Sequence, residues 1–283
     1  MSRRAKVALG VVALWLCGMA ALARRELFRG TAGRLARAAL FVEPGAQFYQ
    51  ITDGGRQIGF ASSTIDTTAR AIQIEDLVVA DLPGARGPRR LAARSRAEMS
   101  RTLRLRRFAY QLGGDAGPYT ATGTVEGDTA LTVVVQRGSA PADTQRVRLD
   151  TPLLLPTMVP MAIALGETPS VGERYTYAVF DPIADSTRAV TLRIAAESLF
   201  VLADSAMLAP DRSSWVTAHR DTVRAWRVEE EGGGLLTGWI DGAGRMVEAR
   251  PLAMLHMKRT AYELAFQNWS RSSTTTYAPA TRQ

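Results

Sequence analysis

From Ala46 onward, apolar and polar residues alternate with a period of two, and clusters of Gly, Asp and Pro interrupt the alternation at short intervals. This pattern confines the chain to strands joined by tight turns, because a period of two sends successive side chains to opposite faces of an extended backbone. Residues 47–52 and 57–64 flank Asp53-Gly54-Gly55, a turn sequence that supplies positive φ and closes a hairpin. Residues 71–82 follow as a strand carrying Ile72, Ile74 and the apolar run Leu77-Val78-Val79, and the Pro/Gly-rich stretch 83–88 ends it. Further strands are expected at 92–102, 103–112, 118–126, 130–137 and 145–149, an antiparallel meander. The pattern resumes at 174–180, 188–202, 215–217, 222–230, 235–240 and 245–250.

Between the two sets of strands, residues 151–160 hold three prolines around Leu153, Leu154, Leu155 and Met158. Helix is limited there to a short piece near 158–165. The segment is either an apolar plug over an open sheet face or a core connector. Residues 256–269 space Met257, Ala261, Leu264, Ala265 and Asn268 as a C-terminal helix does, and the Ser/Thr-rich tail, 270–283, is expected to be disordered.

The N-terminus obeys a different rule. Val7 to Ala23 is a run of 17 uncharged residues bracketed by Arg3, Arg4 and Lys6 before it and Arg24 and Arg25 after it. At ~1.5 Å per residue such a helix reaches ~25 Å, the short end of a bilayer span. Residues 1–25 are therefore expected to form a signal anchor and transmembrane helix. Ala21-Leu22-Ala23 resembles a cleavage site, but the arginines directly after it favour an uncleaved anchor. In residues 26–45, Leu27, Phe28, Leu35, Ala38, Ala39 and Phe41 share one helical stripe. This juxtamembrane helix either lies on the bilayer surface or packs on the body.

Charge agrees with that division. The chain of 283 residues has a net charge of +8, yet five basic side chains and no acid fall in residues 1–25. Nine arginines and one acid fall in 86–107, which leaves 21 basic against 26 acidic residues elsewhere. A basic excess concentrated at a membrane flank and on one strand region does not make a nucleic-acid platform, which interleaves basic and aromatic side chains. Nucleic acid is excluded as the expected partner. In 94–106, Arg94, Arg96, Arg104 and Arg106 fall in one phase and Met99, Leu103 and Leu105 in the other. The guanidinium face suits anionic headgroups, or it is a solvated pair of strands.

The residues of catalysis are sparse. His219 and His256 are the only histidines, neither stands beside a nucleophile motif, and the single Cys17 lies in the apolar N-terminal run. His219 reads as a surface residue and His256 as a core-edge one, while Glu229, Glu230 and Glu231 read as a solvated hairpin end. Two isolated histidines without a thiolate do not compose a zinc site, and Gly232-Gly233-Gly234 lacks the spacing of a dinucleotide fingerprint. No enzyme activity, metal or cofactor is expected.

Several stretches, in order, resemble an exported bacterial domain of unknown function that precedes transglutaminase-like domains. They are Phe48-Tyr49 with Ile51, Ile58 to Ser63, Leu103 to Phe108, Leu153-Leu154-Leu155-Pro156, Tyr175 to Pro182, Gly238 to Asp241, and Gly244 to Val247. That domain is similar in style to the lipoprotein-carrier half-barrels, in which a curved antiparallel sheet surrounds a helical plug. The resemblance implies a mainly β half-barrel over residues 46–255, an extracytoplasmic body tethered to the bacterial inner membrane by one span, and no enzyme in this chain. It also implies either an apolar, lipid-like ligand within the sheet or an envelope partner such as a separate transglutaminase-like enzyme. The basic count downstream of the span opposes this orientation under the positive-inside rule, and the resemblance overrides it.

Overall fold

The computed structural model describes residues 42–84, 87–114, 117–165, 168–232, 237–252 and 255–270. The expected membrane span, the juxtamembrane helix up to residue 41 and the tail from 271 lie outside the described residues. Among the described residues, no helix is long and apolar enough to cross a membrane.

Eight strands form the first run: β1 (Gly45–Asp53), β2 (Arg56–Thr67), β3 (Ala71–Leu82), β4 (Arg89–Ser100), β5 (Leu105–Gly114), β6 (Tyr119–Glu126), β7 (Ala130–Arg137) and β8 (Asp143–Arg148). The short β9 (Leu153–Leu154) leads through a 3₁₀ turn, Pro156–Met158, into the helix α1 (Val159–Ala164). The second run is β10 (Arg174–Asp181), β11 (Ser186–Leu208), β12 (Trp215–Glu230), β13 (Gly238–Asp241), β14 (Met246–Leu252) and β15 (Leu255–Thr260). A helical segment, α2, covers 262–270 and is π-wound over Glu263–Gln267.

All strands join one curved sheet in the order β8-β7-β6-β5-β4-β3-β2-β1-β15-β14-β13-β12-β11-β10-β9. Two meanders are thus fused by antiparallel pairing of the first strand with the last, Phe48 opposite Thr260 and Ile51 opposite Met257. Every pairing is antiparallel except that of β9 with β10. The β1–β2 hairpin closes through Gly54 and Gly55, both at positive φ, as the sequence leads one to expect.

Among the described residues, no backbone ladder closes the sheet. It rolls so that its β9–β10 edge lies against the inner face of its own β5–β8 end. Across that seam the Tyr119 hydroxyl donates to the Pro182 carbonyl, Gln145 Nε2 donates to Asp185 Oδ2 at 3.0 Å, and the Phe108 and Phe180 rings sit 5.4 Å apart. Val179 and Phe180, neighbours on opposite faces of β10, are both buried, as a strand covered on two sides requires.

The interior is filled by α1 and the turn before it. Leu155, Met158 and Ile163 are fully buried among Ile72, Met99, Leu131, Leu192 and Ile240 from both meanders. The apolar insert is therefore a plug inside the curved sheet. Gly244, in the β13–β14 turn, makes this docking possible: its φ is +71°, and a Cβ there would lie 2.5 Å from the Met161 Cα.

Three expectations are corrected. Residues 255–260 are strand, and helix begins only at 262, because Met257 and Arg259 face across to Ile51 and Tyr49 of β1. Residues 215–217 and 222–230 belong to one strand, β12, which pairs with an extended β11 in a ribbon reaching beyond the rest of the sheet. Glu230 is no solvated end: its side chain is 6% exposed and ion-paired with Arg188.

Two elements cover the outside. α2 packs Ala265, Phe266 and Trp269 onto Phe60 and Phe48 of the outer face. The ribbon folds over β13 and β14, with Phe200 edge-on to Trp239 at 5.0 Å and Leu202 beside Val247.

Candidate functional site

A cavity of about 520 Å³ lies between the plug and the inner face of β1–β3 and β13–β15. Its walls are apolar, with Ile65 and Ile74 on one side, Ile240, Met246 and Met257 on the other, and Ile163 from the plug. Alternation within each strand builds these walls, since Ile72, Ile74 and Val78 fall in one phase of β3 and Ala61 and Ile65 in one phase of β2. Ile183, 58% exposed, and Thr237, also exposed, mark where the void meets solvent.

Among the described residues, the polar side chains on the wall are Tyr49, Ser62, Ser63, Asp76, Thr157 and Thr237, and no basic residue lines it. Asp76 shares the inward phase of Ile74 and Val78, directly opposite Ser63 on β2. Asp76 is half-buried, with part of its surface facing the void. Burial pushes its pKa up to about 6; its hydrogen bond with Ser63 works against the rise, and Glu75 adds to it. Burial likewise raises the Tyr49 phenol, against the pull of Arg259. Thr157 Oγ1 on the plug is buried without a hydrogen-bond partner.

The raised Asp76 pKa couples stability to pH. Between the ordinary value of 3.8 and about 6 the native state binds a proton that the unfolded chain has released. The stabilisation is full below 3.8 and is lost as pH rises through 6, where ionisation of the enclosed carboxyl costs up to about 3 kcal/mol. Asp76→Asn is expected to raise stability in urea titrations above pH 7 by about 1–3 kcal/mol. Parent and variant should converge near pH 4, and a variant no more stable at high pH would show that the carboxyl is well solvated.

The arginines singled out in the sequence lie elsewhere. Arg94 and Arg96 are on the outer face of β4, and both ion-pair with Glu75 of β3. Arg104 reaches Asp128 at 2.8 Å, and Arg106 is exposed beside the bulge that also turns Arg107 outward toward Glu98. The face is therefore a lattice of cross-strand ion pairs over β3–β6. Although its partial burial acts the other way, the two guanidiniums hold the Glu75 carboxyl below its ordinary value. Such exposed pairs contribute ~0–1 kcal/mol each, so Glu75→Gln is expected to change thermal stability little and to leave Arg94 and Arg96 available to anions. Leu153, Leu154, Leu155 and Met158 are all buried and belong to the plug. Leu153 and Leu154 pair with Ala178 and Val179, away from the void.

His219 is exposed on the ribbon, 3.7 Å from Asp204, and His256 Nε2 is 3.1 Å from Glu248 on the half-buried rim of β15. Among the described residues, no group of three His, Cys, Asp or Glu could hold a metal ion. A second hollow, about 490 Å³ and mainly polar, lies between the ribbon and α2 beside the buried Arg259–Asp241 pair, whose N–O distance is 2.7 Å.

The sequence matches no protein-family model and no curated protein sequence. Among solved structures, the chain is similar to a beta-barrel-like protein of the domain of unknown function DUF1849 from Brucella abortus. The TM-score is 0.48 at 12% identity, over 77% of this chain and 96% of that one. A DUF1089 family protein from Pseudomonas aeruginosa gives a TM-score of 0.36 at 11% identity, over 67% of this chain and 89% of the other. Neither likeness carries a residue role or an activity over to this chain.

Proposed function

We propose that this protein is a non-enzymatic, membrane-anchored component of the bacterial cell envelope that holds an apolar, lipid-like ligand inside its curved sheet, on the extracytoplasmic side of the inner membrane. The observation that carries the proposal is the cavity of about 520 Å³ with almost wholly apolar walls. Its size is within the ~300–1,000 Å³ of ligand sites. Water is a poor filling where it finds few polar partners. The uncharged run Val7 to Ala23, and the resemblance of the sequence to an exported bacterial domain that precedes transglutaminase-like domains, support the envelope setting.

Native mass spectrometry of the full chain, released from mild detergent, tests this reading. A bound apolar species of lipid-like mass is expected, recoverable by solvent extraction. A protein that carries nothing and takes up no added lipid would refute it.

A separate observation favours a second reading, an accessory module that docks on another envelope protein such as a separate transglutaminase-like enzyme. The ribbon exposes Leu199 at 68%, Val201 at 56% and Met207 at 54%, and exposed apolar residues grouped on one element mark interaction surfaces. Crosslinking in cells through the ribbon that recovers only the protein itself would remove this reading.

A further inference from the structure

The ligand's head can be inferred from what the cavity wall contains and what it lacks. Asp76 projects from the middle of β3 between Ile74 and Val78, and Ser63 opposite is its partner across the strands. Tyr49 and Thr157 border the same space, and among the described residues no Lys, Arg or His lines it. A half-buried carboxylate in apolar surroundings has a strong demand for a donor, and no described residue of the wall would neutralise a second anion.

We propose that the cavity takes long-chain amphiphiles whose head is a hydrogen-bond donor without negative charge, a primary amine above an alcohol, and that Asp76 is the anchor for that head. This rests on the apolar-ligand reading and specifies its chemistry. The chain of the ligand lies along Ile65, Ile240, Met246 and Met257, and the head meets the Asp76 carboxylate and the Ser63 hydroxyl. An ammonium head gains a charge-assisted hydrogen bond where little water competes. A carboxylate or phosphate head would sit beside a like charge with no cation among the described residues of the wall.

The test is displacement of a neutral fluorescent apolar probe from the full chain by dodecylamine, dodecanol and dodecanoate at about pH 7.5, where Asp76 is ionised. Dodecylamine is expected to compete at least about 10-fold better than dodecanoate, with dodecanol between them. Asp76→Asn is expected to remove the advantage of the amine and keep the binding of dodecanol. Dodecanoate equal to or better than dodecylamine, or an amine advantage that survives in Asp76→Asn, would overturn the anchor while leaving the apolar cavity standing. Failure of the probe and of all three chains to bind would overturn the apolar-ligand reading itself.

Discussion

Ala61→Trp is expected to weaken the retention of apolar ligands more than about tenfold while the protein unfolds at a temperature no lower than that of the parent. Ala61 is 3% exposed and stands on the inner face of β2, in register with Tyr49 of β1 and Val78 of β3. Its methyl group points at the void, so an indole built there enters the space rather than the packed core. Filling an apolar cavity commonly adds ~0.5–2 kcal/mol, whereas overpacking costs ~1–3 kcal/mol. The combination of lost binding and retained stability therefore separates a blocked site from a damaged fold. Ala249→Phe, on the opposite wall in β14, should act in the same way from the other side. Probe titration and thermal unfolding of both variants check this, and undiminished binding in both would place the ligand elsewhere.

Phe180→Ala is expected to cost about 3–5 kcal/mol in denaturant unfolding. The side chain is 1% exposed and meets Phe108 across the seam where the β9–β10 edge tucks against β5. No ladder of backbone hydrogen bonds joins those two ends of the sheet, so side chains alone hold the roll together. Removing the largest fully buried one leaves a cavity that the rigid strands on either side cannot collapse to fill. Phe200→Ala serves as the contrast, since Phe200 is half-buried on the ribbon against Trp239 and should cost about 1 kcal/mol. Equal losses from the two variants would mean that the seam contributes no more than the outer ribbon.

Much of the sheet was legible because its period and its turns agreed. Asp53-Gly54-Gly55 and Gly127-Asp128 lie where hairpins close, and the even phase of Arg94, Arg96 and Glu98 does face outward. The stretch 256–260 misled because its apolar residues fit both a helical and an extended period, and only pairing with β1 decides between them. The full length of β11 and β12 was hidden for another reason. Beyond Ser198 of β11 and before Ala225 of β12 the ribbon has no third strand beside it, so burial does not impose a clean alternation there.

The site itself was only half legible. The plug around Leu155 and Met158 stood out as an apolar insert, and the structure places it inside the sheet. Asp76 did not stand out because the neighbouring run Leu77-Val78-Val79 dominates the apolar signal of β3. Its signal was phase: Asp76 falls in step with Ile72, Ile74 and Val78, and an acid at an inward position of a buried strand needs a reason. The arginines were conspicuous by number, yet their partners Glu75, Glu98 and Asp128 come from neighbouring strands and turns that only the fold brings near.

The most direct measurement is diffraction from crystals of the protein soaked with 1-bromododecane, read at the bromine edge. The account predicts anomalous signal within the void bounded by Ala61, Asp76, Met246 and Ile163, and its loss in Ala61→Trp. Bromine found only on the outer ribbon around Leu199 and Val201, or nowhere on the protein, would contradict it.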